Sequence, residues 1–176
     1  WQRLTLAGQK LADRGFTPCE PAQWLAEAEQ WLLPYLTGLS RWEELSKLQW
    51  SEIFKARLDW PQQQLLDTLL PSTLRLATGT QAALRYQAEG DPILPVRLQE
   101  MFGQSTTPLL AEGRVGLIIE LLSPARRPLQ VTRDLAAFWA GAYEDVKKEM
   151  RGRYPKHYWP DDPASATPTR HTKRHM

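Results

Sequence analysis

The chain has 176 residues, 42% of them hydrophobic, and it carries 22 basic residues, 20 acidic residues and one cysteine. This length and apolar content predict one domain of moderate size, or one domain preceded by a helical extension. A single cysteine excludes an internal disulfide. No apolar run approaches the roughly 18 residues of a membrane span, so we expect no membrane partner. A lone cysteine is ordinary in a reducing compartment, which favours a cytoplasmic location. Because the first residue is Trp1 and not Met, we expect a fragment of a longer protein.

The basic residues are unevenly distributed along the chain. Eight of them lie in residues 147–176 beside three acidic residues, which gives this segment a net charge of +5 and leaves residues 1–146 at −3. A basic segment on a weakly acidic body is typical of a protein that binds a polyanion. Many basic tails are simply solvated, however, so the charge alone leaves both interpretations open.

Residues 1–70 are predicted to form a helical lead-in. Apolar residues recur there at intervals of three and four, as in residues 24–35, and this spacing places them on one face of a helix. Pro21 and Pro61 stand at positions where the first turn of a helix tolerates proline. Pro34 is expected to end or kink its helix.

Residues 71–150 are predicted to form a small α+β domain. A hairpin is expected from strands at 73–78 and 81–86, joined at Gly79, and a short helix is expected at 96–102. Apolar strands at 116–122 and 129–131 would complete a small antiparallel sheet. A long helix from Thr132 to about Glu149 would pack on this sheet, because its apolar residues share one face. Those residues are Leu135, Phe138, Trp139, Ala142, Val146 and Met150.

Residues 151–176 are predicted to form an extended or disordered basic tail. Four prolines, at positions 155, 160, 163 and 168, are incompatible with a helix there. The predicted fold class is therefore α+β. It combines a helical N-terminal half, a small antiparallel sheet with a long C-terminal helix, and the extended basic tail.

No catalytic motif is present in the sequence. The phosphate loop GxxxxGK[ST] and the patterns GxGxxG, GxSxG and HExxH are all absent. Cys19 has no second cysteine or nearby histidine with which to build a zinc site. Asp161 and Asp162 are neighbours in an extended stretch, which points them apart and not toward a shared acid–base centre. We therefore expect no catalytic residue, no metal and no cofactor in this segment.

The candidate binding residues lie in two places. Arg126, Arg127 and Arg133 flank a predicted strand-to-helix junction, where a helix N-terminus would add donors and a favourable dipole for phosphate. Farther along, cations alternate with aromatic rings, a combination that binds single strands through phosphates and stacked bases. The predicted contacts in that segment are Lys147, Lys148, Arg151, Arg153, Tyr154, Lys156, His157 and Trp159.

A purely structural interpretation of the same residues stays open. Arg126 and Arg127 would then pair with acids of a neighbouring domain, while Tyr158 and Trp159 would anchor the tail to the body. Tryptophans elsewhere are expected either to seal the short helices together or to meet a partner domain. They are Trp42, Trp50 and Trp60.

Four longer segments carry a family resemblance. They are WLLPYL at 31–36, PVRLQEMFG at 95–103, LLSPARRPLQVTRDLAAFW at 121–139 and KKEMRGRYPKHYWPDDP at 147–163. Together they closely resemble the C-terminal region of the HrpB-type bacterial ATP-dependent RNA helicases of the DEAH/DExH group.

The resemblance implies that the motor domains, which bind ATP and Mg²⁺ and hydrolyse the nucleotide, lie upstream of this segment. The segment would be a non-catalytic accessory module that binds or positions single-stranded RNA or DNA for those domains. The alternative is a protein-docking module that packs on the helicase core, or on another protein, without binding nucleic acid itself.

Overall fold

The structure, a computed structural model, describes residues 1–175, and the side chain of residue 175 lies outside this description. The chain divides into two compact units, the first ending at Leu70 and the second beginning at Pro71. Helices and small sheets together confirm the predicted α+β class. Within residues 1–175, no helix combines the length and the apolar character that crossing a membrane would need.

The first unit is built from short helices. Proline lies in the first turn of α2, α4 and α6, a position that needs no backbone N–H. The helices are α1 (Gln2–Lys10), α2 (Pro21–Ala26), α3 (Ala28–Trp31), α4 (Leu33–Leu36), α5 (Trp50–Lys55) and α6 (Trp60–Leu69), with 3₁₀ turns at Ala12–Arg14 and Trp42–Lys47. The expected break at Pro34 is thus a series of short helices and not one bent helix.

Helices α1, α5 and α6 supply most of the core of the first unit. Its fully buried side chains include Leu11, Leu66 and Leu70. Gly8 permits a close approach of the chain to α1, because a Cβ atom at this position would lie 2.5 Å from the carbonyl oxygen of Thr17. The absence of a side chain in α1 is therefore a packing requirement.

The second unit contains two small sheets. Strands β1 (Thr73–Arg75) and β2 (Gln81–Ala83) form the expected antiparallel hairpin. Strands β3 (Ile93–Arg97), β4 (Ile118–Leu122) and β5 (Pro128–Thr132) form a second sheet in the order β3-β4-β5.

The second sheet is mixed and not antiparallel as predicted. Strand β5 pairs antiparallel with β4, but β3 pairs parallel with β4. The residues predicted as a helix at 96–102 instead contribute to β3 and to a 3₁₀ turn at Leu98–Glu100. Pro95 argues against a central strand, but β3 lies at the edge of this sheet, where a missing N–H is tolerated.

The predicted long helix is two helices, α7 (Leu135–Ala140) and α8 (Tyr143–Arg153). The chain begins α7 three residues later than expected, because Thr132 still belongs to β5 and the Asp134 side chain caps the helix by accepting from Ala137 N at 2.9 Å. Gly141 separates the two helices with a non-helical backbone, at φ −128° and ψ −90°. The helix prediction was therefore wrong in its first residue and in its continuity. The break at Gly141 was missed because the apolar spacing continues through it.

The basic tail is irregular but packed. Arg151 and Arg153 belong to α8, and the chain after Tyr154 runs without helix or strand until a 3₁₀ turn at Lys173–His175. Backbone bonds hold it to the body, from Gly103 N to the carbonyl of Pro163 at 2.9 Å and from Thr169 N to that of Gln99 at 3.0 Å. The chain thus stays helical through Arg153 and then follows the body in a series of turns and bends.

Candidate nucleic-acid interface

Arg126 and Arg127 lie in the turn between β4 and β5, and both are exposed. Ser123 organises this turn, since its carbonyl accepts from Arg126 N at 2.8 Å and its hydroxyl accepts from Arg127 N at 3.0 Å. Arg126 has a left-handed backbone with φ 60°. Neither guanidinium forms an ion pair with a carboxylate in the described part of the chain. The turn therefore presents two unneutralised charges.

Arg133 differs from these two arginines. Its Nε lies 3.8 Å from a carboxylate oxygen of Asp91, although the Arg133 side chain is 70% exposed. The predicted helix N-terminus is not available for phosphate, because the Asp134 carboxylate already caps it and α7 has only six residues. The three arginines thus cannot rely on a helix dipole.

Lys147 is nearly buried and lies between two carboxylates. Only 7% of its side chain is exposed, and its Nζ donates to Glu144 at 2.6 Å and to Asp161 at 3.0 Å. These two hydrogen bonds raise the pKa of Lys147. The predicted phosphate contact of Lys147 stays a prediction, and these two partners favour a structural role for the ammonium instead. Helical position alone does not reveal a carboxylate that the tail brings in.

Lys148 and Arg153 are exposed cations on α8 with local partners. Lys148 lies 3.6 Å from Asp145, and Arg153 lies 3.0 Å from Glu149, with all four side chains more than half exposed. Ion pairs of this kind contribute about 0–1 kcal/mol and are screened by salt. A phosphate could therefore replace either carboxylate at small cost.

Arg151 and Lys156 are exposed, and their side chains form no hydrogen bond or ion pair among the residues that the structure describes. Arg151 acts on Asp161 only at longer range, where it contributes to lowering the pKa of that carboxyl group. Lys156 lines a small cavity together with Lys173 and Arg174, so three cations lie together in the tail. Of these three cations, only Lys156 was among the predicted contacts.

The aromatic residues of the tail are mostly structural. Trp159 is buried, and its indole N–H donates to the carbonyl of Tyr154 at 3.1 Å. Tyr154 is half-buried, with its ring edge-to-face against His157 at 6.0 Å. Of the two roles open to Trp159, stacking on bases or anchoring the tail, its burial supports the second.

His157 and Gln99 form the contact that holds the tail at its start. The Gln99 amide donates to the carbonyl of Tyr158 at 2.9 Å, which orients its oxygen toward His157 Nδ1 at 3.1 Å. Because an amide oxygen can only accept, Nδ1 carries the proton. Burial, and then the charge of Arg97, lower the pKa of His157.

Gln99 was missed as a positioning residue. It is 2% exposed, so its polar groups need partners inside the protein. The sequence contains one signal for it, a glutamine between the apolar residues of PVRLQEMFG, but no local pattern identifies its partners. No group of three or more metal-ligating side chains occurs in the described chain.

The chain is similar to known proteins over nearly its full length. It is 49% identical over 173 residues to the ATP-dependent RNA helicase HrpB of Escherichia coli (strain K12), a match that covers 98% of this chain and 21% of that protein. The crystal structure of the E. coli DExH-box NTPase HrpB matches with a TM-score of 0.86 at 49% identity, covering 97% of this chain and 21% of that chain. The crystal structure of the E. coli DEAH/RHA helicase HrpB matches with a TM-score of 0.71 at 46% identity, and this match covers 90% of this chain and 20% of that chain. The chain spans about a fifth of the length of these relatives.

A family described as ATP-dependent helicase C-terminal, HrpB_C, matches residues 31–163. This range includes all four segments on which the sequence resemblance depends, so the resemblance is confirmed. The chain belongs to the ATP-dependent helicase C-terminal family.

Proposed function

We propose that this chain is a non-catalytic accessory module of an ATP-dependent RNA helicase and that its second unit binds single-stranded RNA. The observation that carries the proposal is the state of four predicted phosphate contacts. Arg126, Arg127, Arg151 and Lys156 are exposed and form no ion pair within residues 1–175. These four cations differ in this respect from Lys147, whose ammonium pairs with two carboxylates of the same chain. Their charges therefore stay available to the phosphates of a strand.

The proposal extends to the rest of the parent protein. ATP and Mg²⁺ would bind in upstream motor domains that this chain does not include, and the accessory module would hold the strand while those domains move. A cytoplasmic location fits the free thiol of Cys19. Single-stranded DNA offers the same phosphates, so the contacts themselves favour neither sugar.

The binding would be electrostatic and largely independent of sequence. Each neutralised phosphate of a single strand releases counterions, and the slope of log K against log salt is about −0.7 per phosphate. Four contacts therefore predict a slope of about −3 and an affinity in the micromolar range or weaker at physiological salt. Base stacking would contribute little to this binding, because the Trp159 ring is buried.

A salt titration of the fluorescence anisotropy of a labelled single-stranded RNA tests the proposal. The double variant Arg151→Glu with Lys156→Glu should abolish the salt-dependent binding. Its matched control, Arg41→Glu with Lys47→Glu, makes the same change in net charge at exposed positions of the first unit. Equal loss in both variants would indicate a net-charge effect, and binding unchanged by the first variant would exclude the RNA proposal.

A docking function is the second candidate, and one feature of the first unit favours it. A groove of about 340 Å³ is lined only by apolar and aromatic side chains, among them Trp24, Trp31 and Phe54. Trp42 and Trp60 are exposed by 84% and 70%. Exposed apolar surface of this kind is typical of protein contact sites.

Co-elution of this chain with the parent's motor domains, supplied as a separate protein, tests the docking function. The exposed side chain of Leu25 lines the groove, so Leu25→Glu should abolish co-elution in either low or high salt. Exposed Leu109 in the second unit provides the matched control, Leu109→Glu. Co-elution that survives Leu25→Glu would exclude docking through the groove.

A further inference from the structure

A cavity of about 310 Å³ lies inside the second unit, between the β1–β2 hairpin and the β3–β4–β5 sheet. Ala82, Val96 and Leu122 contribute an apolar wall, while Arg97, Glu100 and Arg126 contribute charged groups. Small-molecule sites are commonly concave, mainly apolar and supplied with a few converging polar groups, with volumes upward of about 300 Å³. This cavity therefore has the size of a site for one small ligand or for a single unit of a polymer.

Arg97 lines this cavity and is half-buried. Its guanidinium forms no ion pair with any carboxylate among residues 1–175. The guanidinium is planar and carries five N–H donors, which suit a phosphate or a carboxylate. An anion that enters the cavity would supply the partner that the described chain does not.

Arg126 reaches the same cavity from a strained position. The turn has a three-residue loop between Ser123 and Arg127, and its last loop residue has φ 60°. Glycine is the usual residue at this left-handed position of a three-residue hairpin loop. Residues held in strained backbone conformations cluster at binding sites, so the position of Arg126 favours a role for its side chain.

Glu100 sets the charge of the cavity. It is 6% exposed, and its Oε1 accepts hydrogen bonds from the hydroxyls of Thr78 and Thr80. The two guanidiniums and this carboxylate leave the cavity with one net positive charge. A singly or doubly charged phosphate fits two guanidiniums, each of which can donate two parallel hydrogen bonds.

We propose that this cavity binds one nucleoside monophosphate unit, with the phosphate between Arg97 and Arg126 and the base or ribose against the apolar wall. A bare phosphate would leave the apolar wall in water. The unit has two sources, an unstacked nucleotide of a bound RNA strand or a free mononucleotide. The first source rests on the proposed RNA binding, whereas the second does not.

The deciding variant is Arg126→Gly, because glycine suits the turn and the protein should remain folded. Arg75→Gly is the matched control, since Arg75 is an exposed arginine of the second unit that does not line the cavity and is not among the proposed phosphate contacts. Titration calorimetry with adenosine and uridine 5′-monophosphates should give similar affinity for wild type and Arg75→Gly. Arg126→Gly should lose about tenfold or more, the effect of one charge-assisted contact.

Adenosine and inorganic phosphate separate the two halves of the ligand. Each should bind more weakly than the monophosphate, and adenosine binding as tightly as its monophosphate would overturn the proposal. Equal monophosphate affinity in Arg126→Gly and Arg75→Gly would also overturn it, as would no detectable monophosphate binding to wild type.

A single-stranded oligonucleotide then identifies the source of the unit. Displacement of the monophosphate by the oligonucleotide assigns the cavity to a strand, and simultaneous binding assigns it to a free nucleotide. The Arg151→Glu and Lys156→Glu variant is distant in sequence from the cavity residues and tests RNA binding separately. If the wild type binds RNA in a salt-dependent way but binds no monophosphate, only this inference is overturned and the proposed RNA binding stands.

Discussion

Lys147, near the middle of α8, donates a hydrogen bond to Asp161 in the tail at 3.0 Å. The same ammonium donates to Glu144 at 2.6 Å, and the two contacts raise the pKa of Lys147 while the bond from Lys147 holds the pKa of Asp161 below its usual range. Tyr143 adds a second tie in the same region, because its hydroxyl donates to the carbonyl of Pro160 at 2.8 Å. The tail is thus fastened to the helix by charge and by a buried hydroxyl.

The substitution Lys147→Met separates structural cations from binding cations. Removal of the ammonium leaves Glu144 and Asp161 without their shared partner, so the melting temperature should fall. RNA affinity and its salt slope should stay unchanged. Arg151→Met, at an exposed position without an ion pair, should change stability by less than about 0.5 kcal/mol and make the slope shallower by about 0.7. A shallower slope in Lys147→Met would contradict the assignment of Lys147 to structure.

The substitution Gln99→Leu should loosen the start of the tail. Tyr158 O would lose its donor and His157 Nδ1 its acceptor, and buried polar groups left without partners cost about 1–3 kcal/mol. Denaturant unfolding measures this loss, and hydrogen exchange of a peptide covering residues 155–170 should show faster exchange. Gln104→Leu is the control, because Gln104 is exposed and its side chain forms no hydrogen bond in the described structure. Equal effects of the two substitutions would refute the role of Gln99.

His157 should make the stability of the second unit depend on pH. Burial lowers its pKa in the folded protein below the value of about 6.5 expected when unfolded, so the unfolded state binds more protons between these two values. The stability contribution is therefore fully present above about pH 6.5 and is lost as the pH falls through the folded pKa.

The change is measured by thermal unfolding between about pH 7 and pH 5, a range in which most carboxylates do not titrate. The melting temperature of the wild type should fall more steeply with acid than that of His157→Gln. Parallel pH profiles for the two proteins would show that His157 is not the group responsible.

The substitution Arg126→Gly should stabilise the protein. A residue with a Cβ at the left-handed position costs about 1–2 kcal/mol, whereas glycine adds about 0.4–1 kcal/mol of unfolded-state entropy. The net gain expected is about 0.5–1 kcal/mol in the free energy of unfolding. Arg126→Ala removes the same charge but keeps the strain, so it should leave stability almost unchanged. A loss of stability in Arg126→Gly would mean that the arginine itself contributes to the turn.

Local patterns in the sequence were sufficient for several elements. The hairpin around Gly79 and the strands at 116–122 and 129–131 were predicted close to their observed positions, because alternation and turn residues act over a few positions. The edge strand Ile93–Arg97 was missed, since its pairing with β4 requires a crossover through residues 98–117. No short window of sequence contains that information.

The sequence alone determined the family and the absence of nucleotide-hydrolysis motifs, because both depend on the identity and order of residues along the chain. Only the tertiary structure decided which cations are free. Lys147 and Arg151 are both cationic residues of α8 and lie four positions apart. The Lys147 ammonium is nevertheless buried between two carboxylates, whereas the Arg151 side chain is exposed. The physical reason is that screening and ion pairing depend on distances in space, and Asp161 reaches Lys147 only when the tail packs on the helix.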